Sequence, residues 1–268
     1  MKAVLTRLAI VALIIYLPFN CLAWGMLGHR ITGEIAQHYL SSKAKKEIAK
    51  ILGNESVAMS SNWADFIKSD TAYNYLSTWH YVNFKAGLNF TDLEKQLLND
   101  TSSVNAYNKL NFLIAELKNK NLGLEKKRMY LRLLIHIVGD LHQPLHTGRP
   151  EDQGGNRIKV MWFSSPSNLH RVWDSDLIDH QQLSYTEYAR AINFATIEKV
   201  KTLQKQSITE WIFDSYQVAA NLYQQVSKPD EVLGYRYNYL NLETLNEQLL
   251  KGGIHLAGIL NDIYNGKS

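Results

Sequence analysis

The sequence of 268 residues has only one cysteine, Cys21, and no apolar segment long enough to span a membrane, which needs about 20 residues. Residues 1–23 combine a short basic start, a short apolar run, and Cys21 and Ala23 at the −3 and −1 positions. This pattern is typical of a cleaved secretory signal. We therefore predict an exported protein, secreted or periplasmic, whose mature chain begins at Trp24.

Cleavage before Trp24 removes Cys21, so the mature chain contains no thiol. This excludes disulfide bonds and metal sites built on cysteine. Residues 24–268 are sufficient for one large domain with a sizeable core, and no linker or repeat divides them. We predict a single domain over residues 24–268.

The sequence also lacks a run of lysine or arginine and any low-complexity arm of the kind that binds nucleic acid. Its 29 Lys and Arg against 25 Asp and Glu give a formal net charge of +4. Half of that charge is lost when Lys2 and Arg7 leave with the signal. The side chains therefore give little attraction for a polyanion, and bound divalent cations would supply most of it.

Apolar residues recur at intervals of three and four along most of the chain, which predicts helices. Alternating patterns that predict strands are confined to Trp79–Phe84 and Arg157–Phe163. We expect a mainly α single-domain helical bundle with a small β insertion. The longer predicted helices are residues 104–118, 125–143, 185–204, 208–226 and 242–263.

Two histidine–aspartate pairs are spaced four residues apart, His136 with Asp140 and His170 with Asp174. Residues four apart lie on one face of a helix, so each pair directs an imidazole and a carboxylate to a common point. One such pair alone is more often a hydrogen-bonded core pair than a metal site. Two pairs, with His146 after a proline stop, favour a metal centre, and imidazole with carboxylate favours zinc over calcium.

Four further candidate ligands precede these pairs. Asp65 and His80 each stand beside a tryptophan, and alone they would indicate an ordinary buried tryptophan with a polar neighbour. Cleavage before Trp24 would create an α-amine close to His29. The other histidines (His38, His142, His180 and His255) match no metal-binding pattern, and we expect them to have surface or packing roles.

Taken together, these residues resemble the S1/P1 family of zinc-dependent nucleases. The resemblance implies a fold of the phospholipase C/P1 nuclease type and three Zn²⁺ per chain. The matching segments are Trp24-Gly-x-x-Gly-His29, Trp63-Ala-Asp65, His80, His136-x-x-Gly-Asp140, Gln143-Pro-Leu-His146, Gly154-Gly155-Asn156, Asn168-Leu-His170, Trp173-Asp174 and Lys251-Gly-Gly.

The resemblance also implies how the ligands are shared among the three ions. One zinc would be held by Asp65, His80, His136 and Asp140, a second by His146, His170 and Asp174, and a third by the amine and carbonyl of Trp24 with His29 and a bridging Asp140.

The activity implied by the resemblance is hydrolysis of single-stranded DNA and RNA to 5′-phosphate products, together with 3′-nucleotidase activity. Asp65 would orient the attacking water or accept its proton, Lys68 would neutralise transition-state charge, and Asn156 would donate to the phosphate or a base edge. The expected partners are single-stranded DNA, RNA and 3′-nucleotides. We expect no membrane and no obligate protein partner.

Base recognition is expected to be loose and to depend on stacking against Tyr81. A core tyrosine is the alternative reading of Tyr81. Asn83 stands where known members often have an acidic residue, and Gln153 where they have a small apolar one, so their base preference does not transfer to this chain. Gly154 and Asn156 complete the predicted substrate-binding set.

Two other functions fit part of the pattern. Zinc-dependent phospholipases C share the fold and the N-terminal tryptophan, but they generally end the ligand set with glutamate where this chain has Asp174. They also have a shorter gap than the one between His146 and His170, which the Gly154-Gly155-Asn156 loop fills. A non-catalytic exported zinc-binding protein would need neither a bridging Asp140 nor a third ion.

Overall fold

In a computed structural model, described over residues 24–226 and 228–265, helices account for most of the chain. The predicted signal sequence, residues 1–23, lies outside the described residues. The helices are Met26–Tyr39, Ser42–Leu52, Val57–Ser60, Trp63–Phe66, Phe90–Asn99, Ala106–Lys118, Leu124–Asp140, Leu169–Arg171, Leu177–His180, Tyr185–Ile192, Ile197–Leu203, Ile208–Gln224 and Tyr235–Asn265, with 3₁₀ segments at Ile67–Ser69, Thr71–His80 and Pro144–Thr147 and a π-helical turn at Val172–Asp176.

A small sheet accompanies the helices, which confirms the predicted mainly α class with a β insertion. The strands are β1 (Lys159–Trp162), β2 (Ser165–Asn168) and β3 (Glu231–Leu233), in the order β2-β1-β3. β1 pairs antiparallel with β2 and parallel with β3. β3 was not predicted because three residues are too few to show an alternating pattern.

The strand predicted over Trp79–Phe84 is wrong. Trp79 and His80 end a 3₁₀ helix, and the extended residues that follow bond to a turn instead of a strand. The Val82 N–H donates to the carbonyl of His146 at 2.9 Å, and the Phe84 N–H donates to that of Gly148 at 3.0 Å. The alternation seen in the sequence comes from this extended segment.

The helix predicted over residues 185–204 is divided into Tyr185–Ile192 and Ile197–Leu203. Thr196 caps the second helix by accepting a hydrogen bond from the Lys199 N–H at 3.1 Å. Threonine favours this N-cap position because its side chain satisfies an N–H that has no partner inside the helix. The apolar spacing continues across the break and hides it.

The first helix and the last helix pack closely side by side. A Cβ added to Gly253 would lie 2.4 Å from Ile35, so glycine is needed for this close approach. The apolar core forms two clusters, and Ile35 belongs to one and Ala36 to the other. Among the described residues, none of the helices has the length and apolar character needed to cross a membrane.

Candidate metal centre

The helix Leu124–Asp140 brings His136 and Asp140 to the centre of the molecule, where both are fully buried. His136 Nε2 lies 3.2 Å from Asp140 Oδ2 because residues one turn apart share a helix face. The ring of His29, from the first helix, stacks on that of His136 with centroids 3.9 Å apart. His29 Nε2 lies 3.4 Å from Asp140 Oδ1. Asp140 therefore contacts ligand candidates from two helices.

Two more candidate ligands reach this pair from the segment between residues 63 and 80, Asp65 at His136 and His80 at Asp140. Asp65 Oδ1 lies 3.8 Å from His136 Nε2 and 2.6 Å from the Lys68 ammonium. His80 Nδ1 lies 3.0 Å from Asp140 Oδ2. The structure thus brings together all four side chains that the resemblance assigns to the first zinc.

The second predicted group, His146, His170 and Asp174, is also assembled. His170 Nε2 lies 3.2 Å from Asp174 Oδ2, and His146 Nε2 lies 3.7 Å from Asp174 Oδ1. His146 Nδ1 is 3.6 Å from Asp140 Oδ1, so this group adjoins the first. The Gln143 amide donates to Asp174, and its carbonyl accepts from the Leu145 N–H at 2.5 Å.

Asp174 lies in the π-helical turn Val172–Asp176, whereas the four-residue spacing predicts an α-helix. The expectation that both pairs lie on α-helices is therefore wrong for His170 and Asp174. Single π turns inserted between α turns occur often at functional sites. The wider turn still keeps the carboxylate next to the His170 imidazole.

Trp24 is fully buried, and its indole lies against Gly28, where an added Cβ would be 2.9 Å from Trp24 Cε3. The Gly25 N–H donates to the backbone carbonyl of Asp174 at 2.6 Å. The segment that precedes His29 is thus docked on the element that carries Asp174. The ligand role of the Trp24 amine and carbonyl stays a prediction.

Three histidines among the candidate ligands are oriented by hydrogen bonds from Nδ1 to backbone carbonyls. His136 Nδ1 donates to Ser61 at 2.7 Å, His146 Nδ1 to His80 at 2.6 Å, and His170 Nδ1 to Gly154 at 2.6 Å. A carbonyl only accepts, so the proton of each neutral ring is on Nδ1 and the lone pair is on Nε2. This is how metal-binding histidines are usually held.

Several polar atoms at the centre have no hydrogen bond within residues 24–226 and 228–265. They are His29 Nδ1 and Nε2, His80 Nε2, His146 Nε2 and Asp140 Oδ1, and all are buried. Leaving such groups unsatisfied is unfavourable by about 1–3 kcal/mol each, and a coordinated cation would satisfy them. Nitrogen and carboxylate oxygen donors fit zinc. Among the described residues, three groups have ligand atoms within 4.8 Å of one another: His29, Asp65 and His136; His80, His136 and Asp140; and His146, His170 and Asp174.

The protonation states also suit a cation. Burial by itself raises the pKa of Asp140, but His136 and His146 outweigh it and hold that pKa well below its usual value. Burial lowers the pKa of His80 to about 4 and also lowers that of His29. Burial alone would lower the pKa of His136, but Asp140 and Asp65 raise it. Ionised Asp140 beside neutral His29 and His80 is the state in which these groups coordinate metal, and a bound cation would displace the proton that the raised pKa of His136 favours.

The centre opens into a cleft of about 640 Å³, a volume typical of small-ligand sites. Tyr81 and Asn83 lie on the outer side of the extended segment, since Val82 and Phe84 point into the core. The cleft is lined by Lys68, Tyr73, Asn74, Ser77, His80, Tyr81, Asn83, Leu145, His146, Pro150, Gln153, Asn156, Asn168 and His170.

The predicted loop residues hold one rim of this cleft. Gln153, Gly154 and Gly155 all have positive φ, at 56°, 62° and 83°, and the Gly154 carbonyl accepts the hydrogen bond of His170. Asn156 donates through Nδ2 to the Gln153 carbonyl at 2.9 Å. The loop therefore both orients a ligand candidate and presents polar side chains to the cleft.

Sequence reasoning missed one wall of the cleft, formed by Tyr73, Asn74 and Ser77. Asn74, Ser77 and His80 are spaced three apart, and side chains at that spacing eclipse one another in a 3₁₀ helix. This spacing was the available signal, but it is only visible once the segment is known to be 3₁₀.

The four other histidines lie outside the centre. His142 and His255 form a buried pair with His142 Nε2 2.6 Å from His255 Nδ1. His180 packs against Trp162 and Phe163. His38 is exposed.

The model of a protein family described as S1/P1 Nuclease matches residues 24–265. Endonuclease 5 of Arabidopsis thaliana is 29% identical to the chain, with 97% of this chain and 98% of that protein aligned. Nuclease P1 of Penicillium citrinum is 27% identical over 91% of this chain and 99% of that protein. Nuclease S1 of Aspergillus oryzae is 28% identical over 67% of this chain and 63% of that protein. Among solved structures, an alpha toxin from Clostridium absonum is similar, with a TM-score of 0.48 and 20% identity over 91% of this chain and 66% of that one.

Proposed function

Because the chain belongs to the S1/P1 nuclease family and is therefore a phosphodiester hydrolase, we propose that it is a zinc-dependent endonuclease of single-stranded DNA and RNA. Its products would carry a 5′-phosphate, and it would also act as a 3′-nucleotidase. The observation that supports this most is the set of buried imidazole nitrogens and carboxylates beneath an open cleft.

We propose that three zinc ions bind per chain, to the ligand sets that the resemblance assigns. Asp140 contacts His29, His80, His136 and His146, which supports its role as the shared ligand. When bound, zinc supplies a Lewis acid for phosphoryl oxygens and lowers the pKa of a water molecule.

We propose that Asp65 accepts a proton from the attacking water and that Lys68 neutralises negative charge on the phosphate. Asp65 is buried beside Lys68 with its pKa lowered: burial would raise it, but His136 and Lys68 outweigh burial. An ionised Asp65 can hold the attacking water or accept its proton. The Lys68 ammonium, 2.6 Å from Asp65 Oδ1 and about one third exposed, lines the cleft and can neutralise charge that develops on the phosphate.

The nucleoside next to the scissile phosphate is proposed to bind between Tyr81 and the loop of Gln153. Tyr81 is 41% exposed, so its ring offers a face to any base. Asn83 and Asn156 line the same cleft, and their amides both donate and accept, which suits several base edges. A 3′-nucleotide presents a phosphate and a base in the same order and would occupy the same places.

We further propose export after cleavage before Trp24, giving one domain over residues 24–268. The third zinc depends on this cleavage because the α-amine of Trp24 is one of its ligands. A protein that retains even one residue before Trp24 is expected to lose much of that zinc.

The first experiment is to measure zinc content and hydrolysis of single-stranded DNA and RNA on protein whose N-terminus has been sequenced as Trp24. About three zinc ions per chain are expected from the ligand sets. Products identified by mass spectrometry should be 5′-mononucleotides, and a chelator should abolish their release until zinc is restored.

Three outcomes would contradict parts of the proposal. Zinc without nuclease activity would redirect the search to phosphatidylcholine as substrate. A protein without zinc would mean that the ligand map is wrong. Unchanged activity in a variant with one extra N-terminal residue would exclude the role of the Trp24 amine.

A further inference from the structure

A row of aromatic side chains continues from the wall of the cleft onto the neighbouring surface. We define the aromatic row as Tyr73, Tyr75, Trp79, Phe112 and Tyr130. Tyr73, which lines the cleft, has its ring centroid 6.3 Å from that of Tyr75. Tyr75 is 5.8 Å from Trp79, and Phe112 is 5.6 Å from Tyr130.

Lys109 joins the two parts of the row. Its Nζ lies 4.9 Å from the centroid of Trp79 and 5.5 Å from that of Phe112. Arg132 lies 5.7 Å from Trp63, which in turn contacts Tyr73, but its guanidinium is paired with Glu55 at 2.6 Å. The row therefore combines aromatic rings with the positive charge of Lys109.

The exposure of the rings argues against a role in packing alone. Trp79 is buried at 7% exposure, but Tyr75 and Phe112 remain 52% and 41% exposed. Rings that only filled the core would be covered, and an apolar side chain would be expected between them in place of an ammonium group. Trp79 is thus a buried anchor, the rings of Tyr75 and Phe112 are accessible to solvent, and the Lys109 ammonium lies between Trp79 and Phe112. This arrangement is typical of a surface on which other rings stack.

Surfaces that bind single-stranded nucleic acid without base specificity combine aromatic rings with positive charge along one path. The aromatic row has both, and it is continuous with the cleft through Tyr73. Continuity with the cleft identifies the strand in the cleft as the partner that reaches the row.

We propose that the aromatic row binds the part of a single-stranded nucleic acid that extends beyond the cleft, with bases on Tyr75 and Phe112 and Lys109 close to the backbone phosphates. This inference rests on the proposed nuclease function. It predicts that long substrates bind more tightly than a dinucleotide, because the dinucleotide is confined to the cleft.

The test compares an oligonucleotide of about ten nucleotides, within the range of known single-strand site sizes, with a dinucleoside monophosphate. Tyr75→Ala and Phe112→Ala are each expected to raise KM for the oligonucleotide at least about fivefold, the low end of the loss measured per stacked base. The kcat on both substrates and the KM for the dinucleotide should stay unchanged. Tyr75→Phe keeps the ring and should behave like the unaltered enzyme.

Tyr239→Ala serves as the matched control, since Tyr239 is 81% exposed on the last helix and lies outside the row. Circular dichroism and thermal unfolding check that each variant folds. The proposal is overturned if the oligonucleotide KM is unchanged in both row variants, or if Tyr239→Ala raises it equally.

Failure of the proposed function has a different signature, because the unaltered enzyme would then cleave neither substrate. Fluorescence anisotropy with a labelled oligonucleotide would in that case still test the row. Weaker binding by Tyr75→Ala and Phe112→Ala than by Tyr239→Ala would support it, and equal binding would overturn it.

Discussion

Gly139 lies against the ring of His29, and the geometry leaves no room for a side chain. A Cβ at this position would be 2.8 Å from His29 Nδ1 and 3.2 Å from Cε1. Alanine is the better helix former by about 1 kcal/mol, so glycine is unfavourable for the helix itself. Its presence is explained by the close approach of His29 to His136 and Asp140.

We therefore predict that Gly139→Ala lowers kcat/KM on single-stranded DNA at least about tenfold, since displacing a positioned group by about 1 Å has effects of this size or larger. The melting temperature should change little, because the gain in helix propensity offsets the strain. Zinc content and kcat/KM are the measurements.

Gly123→Ala is the matched control for this substitution. Gly123 is the N-cap of the same helix and has open space around its Cβ position. Full activity in Gly139→Ala would show that the position of the His29 ring does not matter for the reaction.

At the scale of elements, the sequence predicts the α-helical part of the metal centre. It predicts only part of what the π-helical turn and the 3₁₀ segment contribute. The spacing of His136 and Asp140 gives their common face because the α-helix has a fixed geometry. The spacing of His170 and Asp174 correctly predicts that the two side chains are neighbours. It wrongly predicts an α-helix, since the turn that carries Asp174 is π-helical. The Tyr73–Ser77 wall was missed because 3₁₀ and α-helices differ in which residues share a side.

The resemblance to the nuclease family places Asp65 and His80 in the metal centre, which the apolar periodicity alone does not predict. The apolar pattern predicts helices but not which helices meet, so it could not bring Asp65 to His136 or His80 to Asp140. Those contacts depend on tertiary packing and on carbonyl acceptors such as Ser61, which no side-chain pattern reveals. The break between Ile192 and Ile197 was missed for a related reason, since the cap at Thr196 is a local signal within a continuous apolar pattern.

The loop of residues 153–156 is an element whose backbone shape has a functional consequence. Gly154 has φ of +62°, and a Cβ there would lie 2.4 Å from the Leu145 carbonyl oxygen. We predict that Gly154→Ala moves the carbonyl that orients His170 and lowers zinc affinity about 10–100-fold, the range seen when outer contacts of metal ligands are lost. Zinc titration against a chelator measures this.

Gly87→Ala separates backbone strain from displacement of the loop. Gly87 also has a positive φ, +85°, but nothing lies within 4 Å of its Cβ position. This variant should lose about 1–2 kcal/mol of stability from the left-handed conformation and keep its zinc. If Gly87→Ala lost as much zinc as Gly154→Ala, backbone strain would explain the loss, and the hydrogen bond to His170 would not.

At the scale of the whole molecule, the buried pair of His142 and His255 links the helix that carries Asp140 to the last helix. His142 Nδ1 donates to the Val138 carbonyl at 2.7 Å, so its Nε2 accepts from His255 Nδ1 at 2.6 Å. The ring of His255 also stacks on Trp211 with centroids 4.4 Å apart. Burial, with the neighbouring His142 and Lys251, holds the pKa of His255 well below its usual value.

A histidine whose pKa is lowered by folding stabilises the protein above its unfolded pKa of about 6.5, and that contribution is lost as pH falls below it. His255→Phe keeps the stacking surface for Trp211 and removes the titrating group. At pH 7.5 we expect the unaltered protein to be more stable by about 1–3 kcal/mol, because the variant leaves His142 Nε2 without its donor. Below pH 6.5 this difference should shrink by up to about 1.4 kcal/mol per pH unit. Urea unfolding at several pH values measures the free energy of unfolding of both proteins. The metal ligands titrate equally in the two proteins, so their contribution cancels from the difference.

A difference that stays constant from pH 7.5 to 5 would mean that His255 is not held neutral by its burial.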